Sequence, residues 1–346
     1  MKIAVIGAGL AGKQHIDTIL NNKNCELDLI VDPSLEAYEF SKKLNVQYFS
    51  SIELALKKCR PDGAIIATPN SKHKENAELF LNEKIPVLIE KPLSSDIKSA
   101  IEIVMYAKKQ KTKILTGHHR RHNKIIKNAK RKIQSGNLGK IISIHATCWL
   151  FKPNNYFNSW RKSVGGGPLL INLVHDIDLM RYLIGEIECV LSFESNSIRG
   201  GDTEDTAVVL LKFDNGSLGT LSVSDTIISP WSWELTSKEN SIYPNQKQNC
   251  YWIGGTHGSM ELPQSKIWES TEKRSWWEPL THTNNKVDET KNHPLNEQLD
   301  NFLAVIKKKQ EPVCSGLDGL NTLAVIEAIK LAAKRGAAVK PEILTD

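Results

Sequence analysis

The 346-residue chain lacks most of the features that would place it outside the ordinary globular class. No apolar run is long enough to span a bilayer, and the apolar start is broken by glycines too early to be a signal peptide. Its six cysteines, Cys25, Cys59, Cys148, Cys189, Cys250 and Cys314, are scattered and include no C-x-x-C pair. That spacing excludes a disulfide framework and a zinc site, so no metal is expected. Repeats, low-complexity tracts and linkers are also missing. Neither charge sign dominates: 45 basic and 39 acidic residues leave a net charge of +6. The densest basic stretch, from Lys108 to Lys132, is largely accounted for by a helix whose apolar stripe is Ile125, Ile126, Ala129 and Ile133. A nucleic-acid surface and a membrane partner are therefore not expected, and a cytoplasmic protein is. The length favours two domains.

What is present begins at the first residue. The β-branched run Ile3 to Ile6 leads directly into Gly7-x-Gly9-x-x-Gly12, and a second apolar run, Leu27 to Val31, ends at Asp32. Strand, glycines, helix, second strand and terminal carboxylate fall at the spacing of one βαβ dinucleotide-binding unit. In such a unit Gly7 permits the tight turn and Gly9 lets backbone approach a pyrophosphate. Gly12 lets the helix pack on the sheet, while the phosphate charge rests on helix-terminal amides. Asp32 is placed to accept from the adenosine ribose diol and to repel a 2′-phosphate, which favours NAD over NADP. The segment Val31-Asp32-Pro33-Ser34 also reads as an ordinary turn.

Further buried strands are expected at Gly63 to Thr68, Val87 to Leu93 and Lys113 to His118, each running into a polar loop. Ligands bind at such carboxyl ends in open α/β sheets. A helix follows around residues 123–135, and then a strand, Lys140 to Leu150, with one wet face. The change in sheet chemistry puts a domain boundary near residue 120, giving domains 1–120 and 121–346. Helical stripes at Leu299, Phe302, Leu303, Ile306 and at Leu320, Leu323, Ala324, Ala328, Leu331 read as core helices of the second domain.

Several motifs recur in order along the first half of the chain. They are the glycine fingerprint, Ala67-Thr68-Pro69-Asn70-x-x-His73, Glu90-Lys91-Pro92, Trp160-Arg161, and Gly165-Gly166-Gly167 leading to His175-Asp176-Ile177-Asp178. Together they resemble the Gfo/Idh/MocA family, the glucose–fructose oxidoreductase and inositol dehydrogenase group. The resemblance implies an α/β protein with an N-terminal Rossmann domain and a C-terminal α/β domain whose open sheet is largely antiparallel. It further implies nicotinamide bound in the cleft between them, and homodimers or homotetramers formed through that sheet. Carried onto this sequence, the cofactor residues are Gly7, Gly9, Leu10, Ala11, Gly12, Asp32, Thr68, Pro69, Asn70, His73, Glu90 and Lys91. The substrate residues are Lys91, Arg121, Trp160, Arg161, Asn172 and His175.

Alcohol oxidation needs a hydride acceptor on one face of the carbon and a proton acceptor within reach of the hydroxyl. Lys91, at a strand end, suits orientation of the hydroxyl and stabilisation of its developing charge, although a surface lysine paired with Glu90 has the same sequence. His175, on an apolar helix opened by three glycines, shares a face with Asn172 and Asp178 and suits proton transfer at neutral pH. A core histidine bonded to Asp178 is the alternative. The family commonly carries an aspartate four residues before this histidine; here the position is Ile171, with Asn172 beside it. Six of the eight tryptophans lie between Ile227 and Thr283 and suit either sugar faces or a core and interface. The expected activity is an NAD-dependent oxidoreductase acting on a secondary hydroxyl of a sugar, cyclitol or polyhydroxy acid. An NAD-dependent glycosidase with retained cofactor and a non-catalytic nicotinamide sensor are the alternatives.

Overall fold

The structure is a computed structural model that describes residues 1–157, 165–270, 273–284 and 293–345. It divides into two compact units, one formed by residues 1–122, 292–323 and 344–346 and the other by 123–291 and 324–343.

Among the described residues the first unit runs β1 (Lys2–Ile6), α1 (Leu10–Leu20), β2 (Glu26–Val31), α2 (Leu35–Leu44), β3 (Gln47–Phe49), α3 (Ile52–Leu56), β4 (Gly63–Ile66), α4 (His73–Asn82), β5 (Val87–Ile89), α5 (Ile97–Gln110) and β6 (Ile114–Thr116). The strands pair in the order β3-β2-β1-β4-β5-β6, all parallel. The first strand explains why: Ile3, Ala4, Val5 and Ile6 are all buried, as a parallel strand covered on both faces requires. Strand order reverses across β1 and β4, which is the topological switch point where such sheets bind ligands. β3 and its loop were not read from the sequence, because three residues are too few to show a period.

The second unit runs α6 (Lys124–Gln134), β7 (Ile141–Trp149), α7 (Val174–Leu183), β8 (Ile187–Ser195), β9 (Thr206–Phe213), β10 (Leu218–Ser224), α8 (Trp233–Thr236), β11 (Tyr251–Gly255), β12 (Gly258–Leu262), β13 (Lys266–Ser270) and β14 (Leu280–Asn284). Its sheet has the order β14-β13-β12-β11-β7-β10-β9-β8 and is antiparallel except where β10 pairs with β7. β9 alternates strictly: Ala207, Val209, Leu211 and Phe213 enter the core while Val208 and Leu210 face out. The core side is filled by Ile125, Ile126 and Ala129 of α6, by Val174, Ile177 and Met180 of α7, and by helical residues such as Ile326 and Ile329. Of the stripe expected on α6, Ile125, Ile126 and Ala129 are buried and Ile133 is partly so.

Two remaining helices, α9 (Pro294–Ile306) and α10 (Gly316–Arg335), complete the chain. Here the extent of the second domain read from the sequence needs correction: the chain divides between residues 122 and 123, near the expected 120, but residues 292–323 pack with the first unit. Leu299, Phe302, Leu303 and Val305 of α9 share one core with Ile3, Val5, Ile65 and Leu88. Gly63 makes room for the contact, because a Cβ there would lie 2.6 Å from Ile306 Cδ1 and 2.9 Å from Phe302 Cζ. An apolar stripe specifies that a helix is buried, not which sheet it covers. The basic stretch also divides differently from the solvated face expected of it: Arg120 and Arg121 are buried, at 4% and 3% exposure.

Candidate active site

The phosphate cradle is built where β1 turns into α1. Gly7 has φ +90°, and a Cβ on it would meet the Ala67 carbonyl oxygen at 2.7 Å. A Cβ on Gly12 would come within 1.9 Å of the Gly7 carbonyl oxygen, so glycine is what allows α1 to sit so close to the loop. Gly9 meets nothing within 4 Å on that side, and no side chain caps the amino end of α1. The helix therefore presents amides toward open space, which is what a pyrophosphate needs. A cavity of about 680 Å³ adjoins it, lined by Gly7, Gly9, Asp32, Ser51, Thr68 and Pro69 among others. Ser50 and Ser51, from the loop after β3, and Ile52, which opens α3, also line it and were not read from the sequence.

Asp32 follows β2 at this cavity. Its Oδ2 accepts the Ala8 amide at 2.8 Å and its Oδ1 accepts the Ser34 amide at 2.9 Å. Burial alone would push its carboxyl up, but the Ala8 amide, the Ser34 hydroxyl and amide, and the Lys13 charge hold it below the ordinary aspartate value. The carboxylate keeps acceptor capacity for a ribose hydroxyl. The donor set and the open glycine cradle thus fit the adenosine and pyrophosphate parts of NAD.

His73 and Thr68, both expected at the cofactor, occupy different layers. Thr68 lines the cavity, and its Oγ1 accepts from Asn76 Nδ2 at 2.9 Å. His73 is fully buried, with Nε2 2.9 Å from the Thr68 carbonyl and Nδ1 3.1 Å from the Pro92 carbonyl. It ties the Thr68 loop to the Lys91 loop, and burial pushes its pKa down. Glu90 follows β5 and turns its carboxylate to His15 Nε2 at 2.7 Å and to the Lys91 amide at 3.1 Å. Arg121 donates to Asp318 Oδ1 at 2.9 Å and to the Val313 carbonyl at 3.2 Å, bracing the start of α10.

In the second unit, α7 is entered through a π turn, Leu169–Leu173, where a continuous α-helix was expected. Such turns widen the winding locally and are frequent at functional sites. Glu204 Oε1 accepts the Leu169 amide at 3.0 Å, and a Cβ on Gly167 would lie 2.1 Å from that oxygen. One glycine of the triplet is thereby explained: it admits the carboxylate that caps the turn. Asn172 and His175 are both buried, at 7% and 6% exposure, and stand three residues apart around the junction of π turn and helix. Asn172 Nδ2 donates to Glu234 Oε1 on α8 at 3.3 Å, while its Oδ1 has no hydrogen-bond partner among the described residues. Asp176 is held by the Tyr251 hydroxyl, whose ring stacks edge-on with buried Trp233. Trp160 and Arg161 lie outside the described residues. Of the tryptophans in the aromatic-rich segment, Trp233 is core at 1% exposure, whereas Trp276 and Trp277 are exposed at 88% and 82%.

The same unit holds a charged cluster that the sequence did not reveal, because its members are remote in the chain. Lys152 is buried, with Nζ 3.8 Å from Asp225 Oδ2, and Arg199 Nε donates to Asp225 Oδ1 at 2.7 Å. Burial drives the Lys152 ammonium pKa down and the Asp225 carboxyl up.

The comparisons with known proteins agree with this arrangement. Residues 1–118 match the family described as an oxidoreductase family with NAD-binding Rossmann fold, and residues 130–340 match its C-terminal alpha/beta domain. A myo-inositol 2-dehydrogenase of Thermotoga maritima is 25% identical over 357 residues, covering 99% of either chain. Among solved structures, the WlbA dehydrogenase of Bordetella pertussis in complex with NADH and UDP-GlcNAcA superposes with a TM-score of 0.79 at 23% identity, over 100% of this chain and 99% of that one. A levoglucosan dehydrogenase complexed with NADH gives a TM-score of 0.82 at 18% identity, over 99% and 100% of the two chains. With both domains matched, the chain belongs to the Gfo/Idh/MocA family of NAD-binding oxidoreductases.

Proposed function

We propose that the protein is an NAD-dependent dehydrogenase that transfers a hydride between nicotinamide and a secondary hydroxyl of a small polyol, sugar or sugar acid. The observation that carries this reading is Lys91, which leaves β5 at the ligand-binding end of the Rossmann sheet with an ionised carboxylate, Glu90, beside its peptide. Support for the substrate class comes from relatives of this family named for inositol and levoglucosan oxidation.

Bound NAD supplies the hydride acceptor. The chain's own residues do the rest: Gly7, Gly9 and Gly12 open the backbone to the pyrophosphate, Asp32 holds the ribose diol, and Lys91 orients the substrate oxygen and stabilises its negative charge. His175 takes the hydroxyl proton. Asn172 offers its Oδ1 to a neighbouring hydroxyl, in keeping with the lack of any other partner for that atom among the described residues. Ile171 leaves no carboxylate one turn before His175, so the proton relay ends at the imidazole.

A second copy of the chain is the proposed partner. The outer face of the second unit's sheet exposes Ile142, Val208, Leu210 and Leu218 at 48–58%, an apolar patch that suits an interface. A panel of cyclitols, anhydrosugars, aldoses and sugar acids, read by thermal shift with NAD and then by NADH formation, tests the activity. Turnover of at least one panel member supports it; NADH binding with no turnover on any member overturns it.

A further inference from the structure

Nothing in the proposed chemistry uses His15, yet it is the ionisable side chain that α1 buries. It is 3% exposed, sits three residues beyond the Gly12 contact that seats the helix on the phosphate loop, and bonds Glu90 rather than any group of its own helix. Glu90 in turn uses its second oxygen on the amide of Lys91. One carboxylate therefore joins the helix of the phosphate cradle to the peptide of the catalytic lysine. Gly117, in the turn after β6, makes the arrangement possible: a Cβ there would lie 3.0 Å from Glu90 Oε1. An apolar pair would fix a helix on a sheet equally well, because burying polar groups costs about as much as the hydrogen bond between them returns. The pair is better explained by what it does for Lys91.

We propose that His15 and Glu90 act as one positioning unit for Lys91: His15 locks the Glu90 carboxylate against the Lys91 peptide, and that fixed negative charge keeps the Lys91 side chain an ammonium directed at the substrate oxygen. The inference rests on the role given to Lys91 above. The titratable groups that face Glu90 are His15 from α1, Lys91 beside it, His119 from the turn after β6 and His73 from α4. Burial would raise the Glu90 carboxyl; the His15 hydrogen bond and charge, then Lys91 and His119, bring it down to about 2. Without His15 the largest influence opposing burial is gone, so the Glu90 carboxyl rises and the negative charge held beside the Lys91 peptide weakens.

The test reads Lys91 directly. The full chain loaded with NADH is labelled with trace acetic anhydride across the alkaline range, and Lys91 acetylation is followed by peptide mass spectrometry. Glu90→Gln is expected to move the labelling midpoint down by about one pH unit, a roughly tenfold faster reaction at fixed pH below it. His15→Leu moves it in the same direction, and His15→Gln, whose amide reaches Glu90, restores it. On any polyol the wild type oxidises, His15→Leu lowers kcat about tenfold or more with KM and NADH affinity little changed, and His15→Gln recovers most of the loss. Unchanged Lys91 labelling in folded, NADH-binding Glu90→Gln overturns the proposal. So does a loss in His15→Leu that falls equally on KM, NADH affinity and thermal midpoint, since that is a structural role. If His15→Leu fails to fold, Glu90→Gln alone decides. A wild type that oxidises no panel member sinks the dehydrogenase reading and leaves the labelling result standing by itself.

Discussion

Replacing Asp32 by Asn separates charge from shape at the cofactor's ribose. In the folded chain the carboxylate accepts two backbone amides, Ala8 at 2.8 Å and Ser34 at 2.9 Å, and the ribose diol can add donors, the Ser34 hydroxyl giving way to one of them. Hydrogen bonds to a charged group contribute about 1.5–3 kcal/mol each, so the ribose diol gains on the order of 3 kcal/mol. A 2′-phosphate removes one of those bonds and sets its own charge, roughly −1.5 to −2, against the carboxylate. At roughly 5 Å and an effective dielectric of about 20 the repulsion is about 3 kcal/mol per unit charge, reduced by solvent because Asp32 is only half-buried. NADH should therefore bind at least about 100-fold more tightly than NADPH, and Asp32→Asn should shrink the ratio below about tenfold, mostly by weakening NADH. Because Asp32 is held below the ordinary aspartate value, the preference stays flat through neutral and alkaline pH. Fluorescence titration of both reduced cofactors at fixed ionic strength is the assay. Equal affinities in the wild type, or an unchanged ratio in Asp32→Asn, would refute the reasoning.

Other outcomes follow from the same geometry. Gly12→Ala puts a methyl 1.9 Å from a backbone oxygen, so NADH binding should be lost or severely weakened while the second unit's near-ultraviolet signal survives. Phe302→Ala should cost about 3–5 kcal/mol in the first unit's unfolding, read by denaturant titration, because it empties that unit's core and not the other's. His175→Ala should lower kcat on the order of 10²-fold and remove a rate-controlling titration near neutrality, whereas Asn172→Ala should raise KM by roughly tenfold or less; turnover abolished in Asn172→Ala at unchanged KM would reverse those roles. Glu90, at about 2 in the folded chain and near the ordinary 4.3 when unfolded, contributes stability above about pH 4.3 that is lost as the pH falls toward 2, about 3 kcal/mol in all. Urea midpoints between about pH 5 and pH 3 should accordingly fall less steeply in Glu90→Gln than in the wild type.

The sequence carried those parts whose chemistry is local. A buried parallel strand followed by fixed glycines leaves little choice of structure, so Ile3 to Gly12 and Asp32 were legible together, as were the wet-faced strand of residues 140–150 and the α6 stripe. The fit of α9 on the Rossmann core was not, because Leu299, Phe302 and Leu303 have the same period whichever sheet receives them. Pairings across long separations were equally hidden: His15 with Glu90, Asn172 with Glu234 and Lys152 with Asp225 join residues whose neighbours in the chain give no sign of a partner. The π turn before His175 escaped notice for a different reason. Its residues, Leu169 to Leu173, are ordinary helix formers, and the widened winding accompanies a cap by Glu204, far along the chain.

The return of residues 292–323 to the first unit bears on how the chain is made. A ribosome releases the six parallel strands, ending at Thr116, first, but the helix that covers Ile3, Val5 and Ile65 begins only at Pro294. The nucleotide-binding half therefore waits, with apolar surface bare, until the other half has been synthesised, and a fragment ending at residue 122 is an unfinished domain. Excising a nucleotide-binding module from this protein requires splicing 292–323 onto it.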